Sequence, residues 1–246
     1  MTVEELTLPD DPGPERRELQ PMVAAYASMI ELGVLTTKRS LSTHVGPSQL
    51  GWVCDRRLSY ALHGTPAVNL SDPMKLLAGT GAHLALADIF TGLDQGAGRF
   101  LVEIPTSYRD CRGSADFYDV WTHQLIDWKT CSKSSLASYI KNGPPEQYRV
   151  QIQLYTASLQ AAGYQVDEAA VFFLPLDGPL SHAWAWTTTP DRAVADAAIE
   201  RRNRLREVDP ADADATPDRS CGHCSWYSPR ATDLRFGCPG KKGTPS

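Results

Sequence analysis

Apolar and polar positions change their spacing several times along this chain, and each change marks an element. Met22 to Leu35 repeats at helical spacing, after a charged, Pro-containing stretch over 1–19 that reads as an arm without a core. Ser48 is placed to cap a helix running to about Leu62, where His63-Gly64-Thr65-Pro66 stops it. Pro73 opens another helix, Met74 to Phe90, whose Leu76, Leu77, Leu84, Ala87 and Phe90 fit a 3.6-residue period, and Gly92 closes it.

The period then shortens. Arg99 to Thr106, Arg112 to Val120 and Gln124 to Thr130 are short runs rich in β-branched or aromatic residues, and they predict three neighbouring strands. A long helix from about Pro145 to Ala162 follows, then strands over Val166 to Pro175 and His182 to Thr188, and a last helix from Pro190 to Arg206. The pattern predicts an α/β fold with a mixed central sheet flanked by helices. It divides the chain into an N-terminal arm and helix (1–45), a core (46–208) and a tail (209–246) too poor in apolar residues to build a core of its own.

Composition narrows the function. At 246 residues and 42% hydrophobic content, one substantial core is affordable without disulfides. No apolar run approaches the roughly 20 residues of a membrane span. The acidic, Pro-broken N-terminus lacks the basic-then-apolar order of a signal peptide, so the expectation is a soluble protein of the cytoplasm, the host's if phage-encoded. A net charge of -5 argues against coating nucleic acid by bulk electrostatics, yet metal-holding carboxylates would themselves make a nuclease acidic. The chain has no G-x-x-x-x-G-K-[ST] loop, so it carries no helicase motor.

Candidate chemistry gathers on the third strand, Ile126-Asp127-Trp128-Lys129-Thr130. Side chains alternate along a strand, so Asp127 and Lys129 share a face while Ile126 and Trp128 take the other. Gly113-Ser114-Ala115-Asp116 places a second carboxylate on the neighbouring strand, where one divalent ion could bridge Asp116 and Asp127. Asp119 reads as a turn residue, and Glu103 is an acid near the cleft without an assigned role. His83 sits on the helix before the strands, while Gln151 and Tyr155, four apart, share a face of the helix after them, and Gln153 points elsewhere. Each feature alone is a common surface or core pattern.

Together, His83, Gly113-x-x-Asp116, Asp127-x-Lys129 and Gln151-x-x-x-Tyr155 resemble the motifs of RecB-type nucleases in the PD-(D/E)XK (restriction-endonuclease-like) superfamily, over about residues 48–238. The resemblance implies that His83, Asp116, Asp127 and the Trp128 backbone carbonyl ligate Mg2+ or Mn2+, and that Lys129 activates the attacking water. Gln151 and Tyr155 would support the site and the nucleic-acid strand. Hard oxygen ligands with one imidazole suit those ions. The implied activity is DNA phosphodiester hydrolysis by an exonuclease on ends or single strands, in recombination, repair or phage DNA processing. Relatives suggest a recombination or helicase partner and homo-oligomers.

Six cysteines without an export signal read as thiols or metal ligands. Cys221-Gly222-His223-Cys224 is a C-x-x-C that zinc, an iron-sulfur cluster or redox chemistry could each use, with Cys238 as a third sulfur and Cys54 as a fourth. One cysteine before the motifs and three after them resembles the cluster-bearing branch of the family, the AddB-type and CRISPR-associated RecB-like nucleases, which implies a [4Fe-4S] cluster. Zinc is the alternative, with His223 able to replace Cys54. Cys111 and Cys131 read as small buried hydrophobes.

Arg56, Arg57, Lys133, Lys141 and Arg149 are candidates for a substrate groove, whereas the Arg201 to Arg206 cluster suits a helix C-terminus. Trp52, Tyr139 and Tyr148 could stack on bases, although core packing is the simpler use. Two rival functions stand beside the exonuclease: a non-catalytic DNA-binding or assembly subunit, and a site-specific endonuclease.

Overall fold

A computed structural model describes residues 44–69, 72–217 and 221–240, together with Met22, Tyr26 to Ile30 and Gly33. Contacts divide the chain into a unit over Met1–Leu41 and a unit over Ser42–Ser246. In the first, the described residues are helical, as the spacing from Met22 predicts, and the 1–19 arm lies outside the described residues.

The second unit is built on a five-stranded sheet in the order β1-β2-β3-β4-β5. The strands are β1 (Phe100–Tyr108), β2 (Cys111–Asp119), β3 (Gln124–Cys131), β4 (Glu168–Pro175) and β5 (Trp184–Thr188). β1, β2 and β3 form an antiparallel meander, β4 runs parallel to β3, and β5 returns antiparallel, so the sheet is mixed as expected. A parallel neighbour needs a long crossover, and here it consists of α4 (Lys133–Asn142) and α5 (Glu146–Ala161). The apolar spacing predicts no helix at α4. Its Ser-rich KSSLASYIKN offers a weak apolar period, and the helix depends on a cap, the Ser132 side chain accepting from Ser135 N.

The other helices of this unit are α1 (Pro47–Leu50), α2 (Asp55–Leu62), α3 (Met74–Asp94) and α6 (Arg192–Arg206). α5 is the buried pivot, with every residue from Gln151 to Leu159 out of solvent. Ile152, Tyr155 and Leu159 pack on Ala115, Tyr118, Leu125, Val171 and Phe173 of the sheet. On its other side Leu154 and Ala157 meet Leu58 of α2 and Ala195, Ala198 and Ile199 of α6. α3 packs through Phe90, which stacks on Trp128 and tilts against Phe117.

Several boundaries differ from expectation. The single helix from Ser48 to Leu62 is broken into α1 and α2, because the backbone at Gly51 passes so close to Gln147 that a Cβ would lie 2.3 Å from the Gln147 carbonyl oxygen. Cys54 therefore sits in extended conformation at the start of α2 rather than within a helix. Gly92 does not stop α3, which continues to Asp94. There the Asp94 carboxylate accepts the N–H groups of Gly98, Arg99 and Phe100 and turns the chain into β1. At 21 residues and mean hydropathy 1.3, α3 is long and apolar enough to cross a membrane, contrary to the expectation of no such stretch. Its engagement with the sheet through Phe90 accounts for part of that apolar surface.

Candidate active site and thiol cavity

The sheet opens where the candidate carboxylates stand. β2 and β3 pair through Asp119↔Gln124, Tyr118↔Leu125 and Phe117↔Ile126, and the next pair in register, Asp116 with Asp127, is not made. Asp116 instead turns its carboxylate into the gap and accepts the Trp128 N–H at 2.8 Å. A strand residue sends its N–H and C=O to the same side, so the Trp128 carbonyl faces this gap too.

Four further side chains converge there. From α3, His83 Nδ1 lies 3.2 Å from Asp116 Oδ1. This hydrogen bond raises the imidazole pKa, against the opposing effect of burial. From α5, Gln151 Nε2 donates to Asp127 Oδ1 at 3.0 Å and to the Tyr155 hydroxyl at 3.3 Å. Lys129 Nζ stands 2.5 Å from Asp127 Oδ2, so the ion pair takes the carboxylate oxygen that Gln151 does not. Asp127 is 1% exposed. Burial pushes its carboxyl well above the usual range, with Lys129 pulling it back and Asp116 adding to the rise.

The structure adds Glu103, which the sequence reading had left unassigned. On β1 the pairs Val102↔Phe117 and Ile104↔Ala115 place Glu103 opposite Asp116, and one ligand atom each from His83, Glu103 and Asp116 lie within 4.8 Å of one another. Glu103 holds φ at 47°, a left-handed conformation costing roughly 1–2 kcal/mol in a strand residue. Alternation alone could have flagged it, since 103, 116 and 127 form one cross-strand row, but only once the register is known.

These donors fit a hard divalent cation. Asp116 and Asp127 are buried and close enough to repel, Glu103 stands exposed beside Asp116, and Gln151 Oε1 is buried without a hydrogen-bond partner. Gly113 belongs to the same construction: a Cβ there would meet Pro47 at 2.9 Å and the Tyr155 ring at 3.2 Å, so glycine lets α1 and α5 close on β2. Asp119, as expected, is structural, bonded to Arg99 and to the turn at Trp121. Gln153 points away, bonding Thr188, Thr189 and Asp191 at the end of β5.

The cysteines form a second locus. Cys54, Cys221, Cys224 and Cys238 all line one cavity of about 360 Å³, whereas His223 is exposed beside it. The tail reaches it by hydrogen bonds to the α2 region. Val68 N and Asn69 N donate to Ser225 O, Asn69 Nδ2 to the carbonyls of Gly222 and Cys224, and Trp226 Nε1 to Thr65 O. Trp226 itself is buried and stacks on Tyr60, so the tail brings one apolar anchor. Burial pushes the Cys224 thiol up, while the Arg57 charge opposes the rise. Cys111 is buried and Cys131 half-buried, away from this cavity.

The basic and aromatic candidates divide. Arg201 and Arg204 pair with Asp55, and Arg201 also bonds the carbonyls of Leu50 and Val53, so they brace the cysteine-bearing loop. Tyr139 and Tyr148 pack against Phe173, Lys129 Nζ lies 5.4 Å from the Tyr148 ring centroid, and Trp52 meets Arg57 and Trp226.

No protein-family model matches the sequence, and neither does any curated protein. Among solved structures, SSO0001 is similar at 15% identity and TM-score 0.49, over 84% of this chain and 95% of that one. An alkaline exonuclease from Laribacter hongkongensis is similar at 14% identity and TM-score 0.46, over 66% of this chain and 86% of that one. A phage-related exonuclease from Haemophilus somnus 129PT is similar at 16% identity and TM-score 0.41, over 62% and 78%. At these scores the likeness lends no weight to a function, which rests on the site's own geometry.

Proposed function

We propose that this chain is a divalent-metal-dependent deoxyribonuclease, an exonuclease acting on DNA ends or single strands, with a [4Fe-4S] cluster held by Cys54, Cys221, Cys224 and Cys238. The observation that carries the nuclease reading is the convergence of His83, Asp116, Asp127, Lys129 and Gln151 where β2 and β3 part. A protein that only bound DNA would have no use for buried, mutually repelling carboxylates beside a lysine.

His83, Asp116, Asp127 and the Trp128 carbonyl would hold Mg2+ or Mn2+, with Glu103 as a further oxygen donor. Such an ion supplies a water of lowered pKa and neutralises charge on the scissile phosphate. Lys129 orients that water and adds positive charge where the transition state is most negative. Gln151 fixes the plane of the Asp127 carboxylate, and Tyr155 fixes Gln151. The preference for an exonuclease follows from the motif resemblance.

Four cysteines lining one cavity can supply four thiolate ligands. The preference for a cluster over zinc follows from the motif resemblance.

The test compares anaerobically purified wild type and Asp127→Ala on end-labelled single- and double-stranded DNA and on closed circles, with Mn2+, Mg2+ or EDTA. Metal-dependent shortening of labelled strands, lost in the variant, is expected. Intact DNA with a folded, metal-loaded wild type would leave a binding subunit, and nicked circles an endonuclease.

A further inference from the structure

Arg56 and Arg57 occupy the first turn of α2, where the helix dipole disfavours cations, and both line the thiol cavity. Neither forms an ion pair with a carboxylate of the described residues, and Glu146, which shares the cavity wall, does not pair with them. The Nε atoms of both are buried without a hydrogen-bond partner. A guanidinium so placed costs free energy unless an anion faces it.

The two are held differently. Arg56 is tied outward, Nη2 donating to Ala211 O. Arg57 lies over the Trp52 ring, its Cζ 4.0 Å from the centroid. That contact holds the Arg57 head group at the wall of the cavity that Cys224 also lines.

We propose that Arg57 is the counter-cation of the thiolate-bound group, its guanidinium offsetting the group's negative charge from the wall of the cavity that the four cysteines line. The proposal rests on the cluster reading above. A fixed positive charge beside an iron-sulfur centre stabilises the reduced, more negative form and so raises its potential. The same contact slows loss of iron, because a charge-neutralised thiolate is a poorer base for the protons that release the metal.

Arg57→Gln removes the charge and keeps an amide donor, whereas Arg57→Lys keeps the charge without the planar edge. After anaerobic purification, iron and sulfide are counted, the midpoint potential is found by dye titration, and bleaching of the visible absorption by a chelator is timed. Arg57→Gln is expected to bleach several-fold faster and to reduce at lower potential, with Arg57→Lys between it and wild type. Iron-loaded wild type and Arg57→Gln with the same potential and bleaching rate would overturn the role of Arg57 alone. Wild type purified without iron would overturn the cluster reading and this proposal with it.

Discussion

The two loci of this molecule are built in opposite ways. The carboxylate site is assembled from neighbouring strands and the helices beside them, and its groups hold one another: Asp116 is fixed by Trp128 N, Asp127 by Gln151, and Gln151 by Tyr155. The thiol cavity joins Cys54 to a tail more than a hundred residues later, as in the hydrogen bond of Trp226 to Thr65, which spans 161 positions. Buried oxygens can be poised for an ion by the fold alone, but four sulfurs around an open space need whatever binds them. We expect changes at the first locus to remove activity and spare stability, and changes at the second to do the reverse.

The largest effect should come from Asp127→Ala, with activity falling on the order of 10³-fold while the thermal transition moves little. A transition lowered as much as that of a cysteine variant would erase the distinction. Cys224→Ala should lose its visible absorption and melt on the order of 10 °C lower. Assayed well below its transition, it should keep DNA hydrolysis within about tenfold of wild type, since support at one remove from the reacting groups is worth that much. Loss of hydrolysis in the folded variant would tie the two loci together.

Gln151→Ala should reduce activity by about 10–100-fold, because Asp127 keeps its place on β3 but loses the donor that orients it. Gly51→Ala tests a backbone contact between the two regions, since Gly51 adjoins the cysteine loop and touches the first turn of α5. It should destabilise by about 1–3 kcal/mol, read from denaturant unfolding. The smallest change should be Glu103→Gly, which relieves the left-handed backbone and stabilises by about 1 kcal/mol while weakening Mn2+ binding, measured by titration calorimetry. Unchanged Mn2+ affinity would remove Glu103 from the ligand set.

How much of this the sequence disclosed follows the same division. Strand alternation put Asp127 and Lys129 on one face, and helical spacing put Gln151 with Tyr155, because those relations are local. The row that brings Glu103 to Asp116 needs the β1–β2 register, which turn chemistry did not specify. α4 was missed because a Ser-capped, weakly periodic helix gains its stability from a neighbour, here Leu136 buried against the sheet. The break at Gly51 was illegible for a related reason: it answers to the backbone of Gln147, and no local pattern records that contact.

Tethering of the tail to α2 also sets an order of assembly. Tyr60 donates to Leu234 O and Arg56 N to Asp214 O, so the surroundings of Cys54 are finished only by residues synthesised after the sheet. During synthesis the sheet and α5 can collapse first, while Trp52 and Tyr60 wait without Trp226 against them. A chain cut before Cys221 would therefore keep its sheet and leave the faces of Trp52 and Tyr60 open to water.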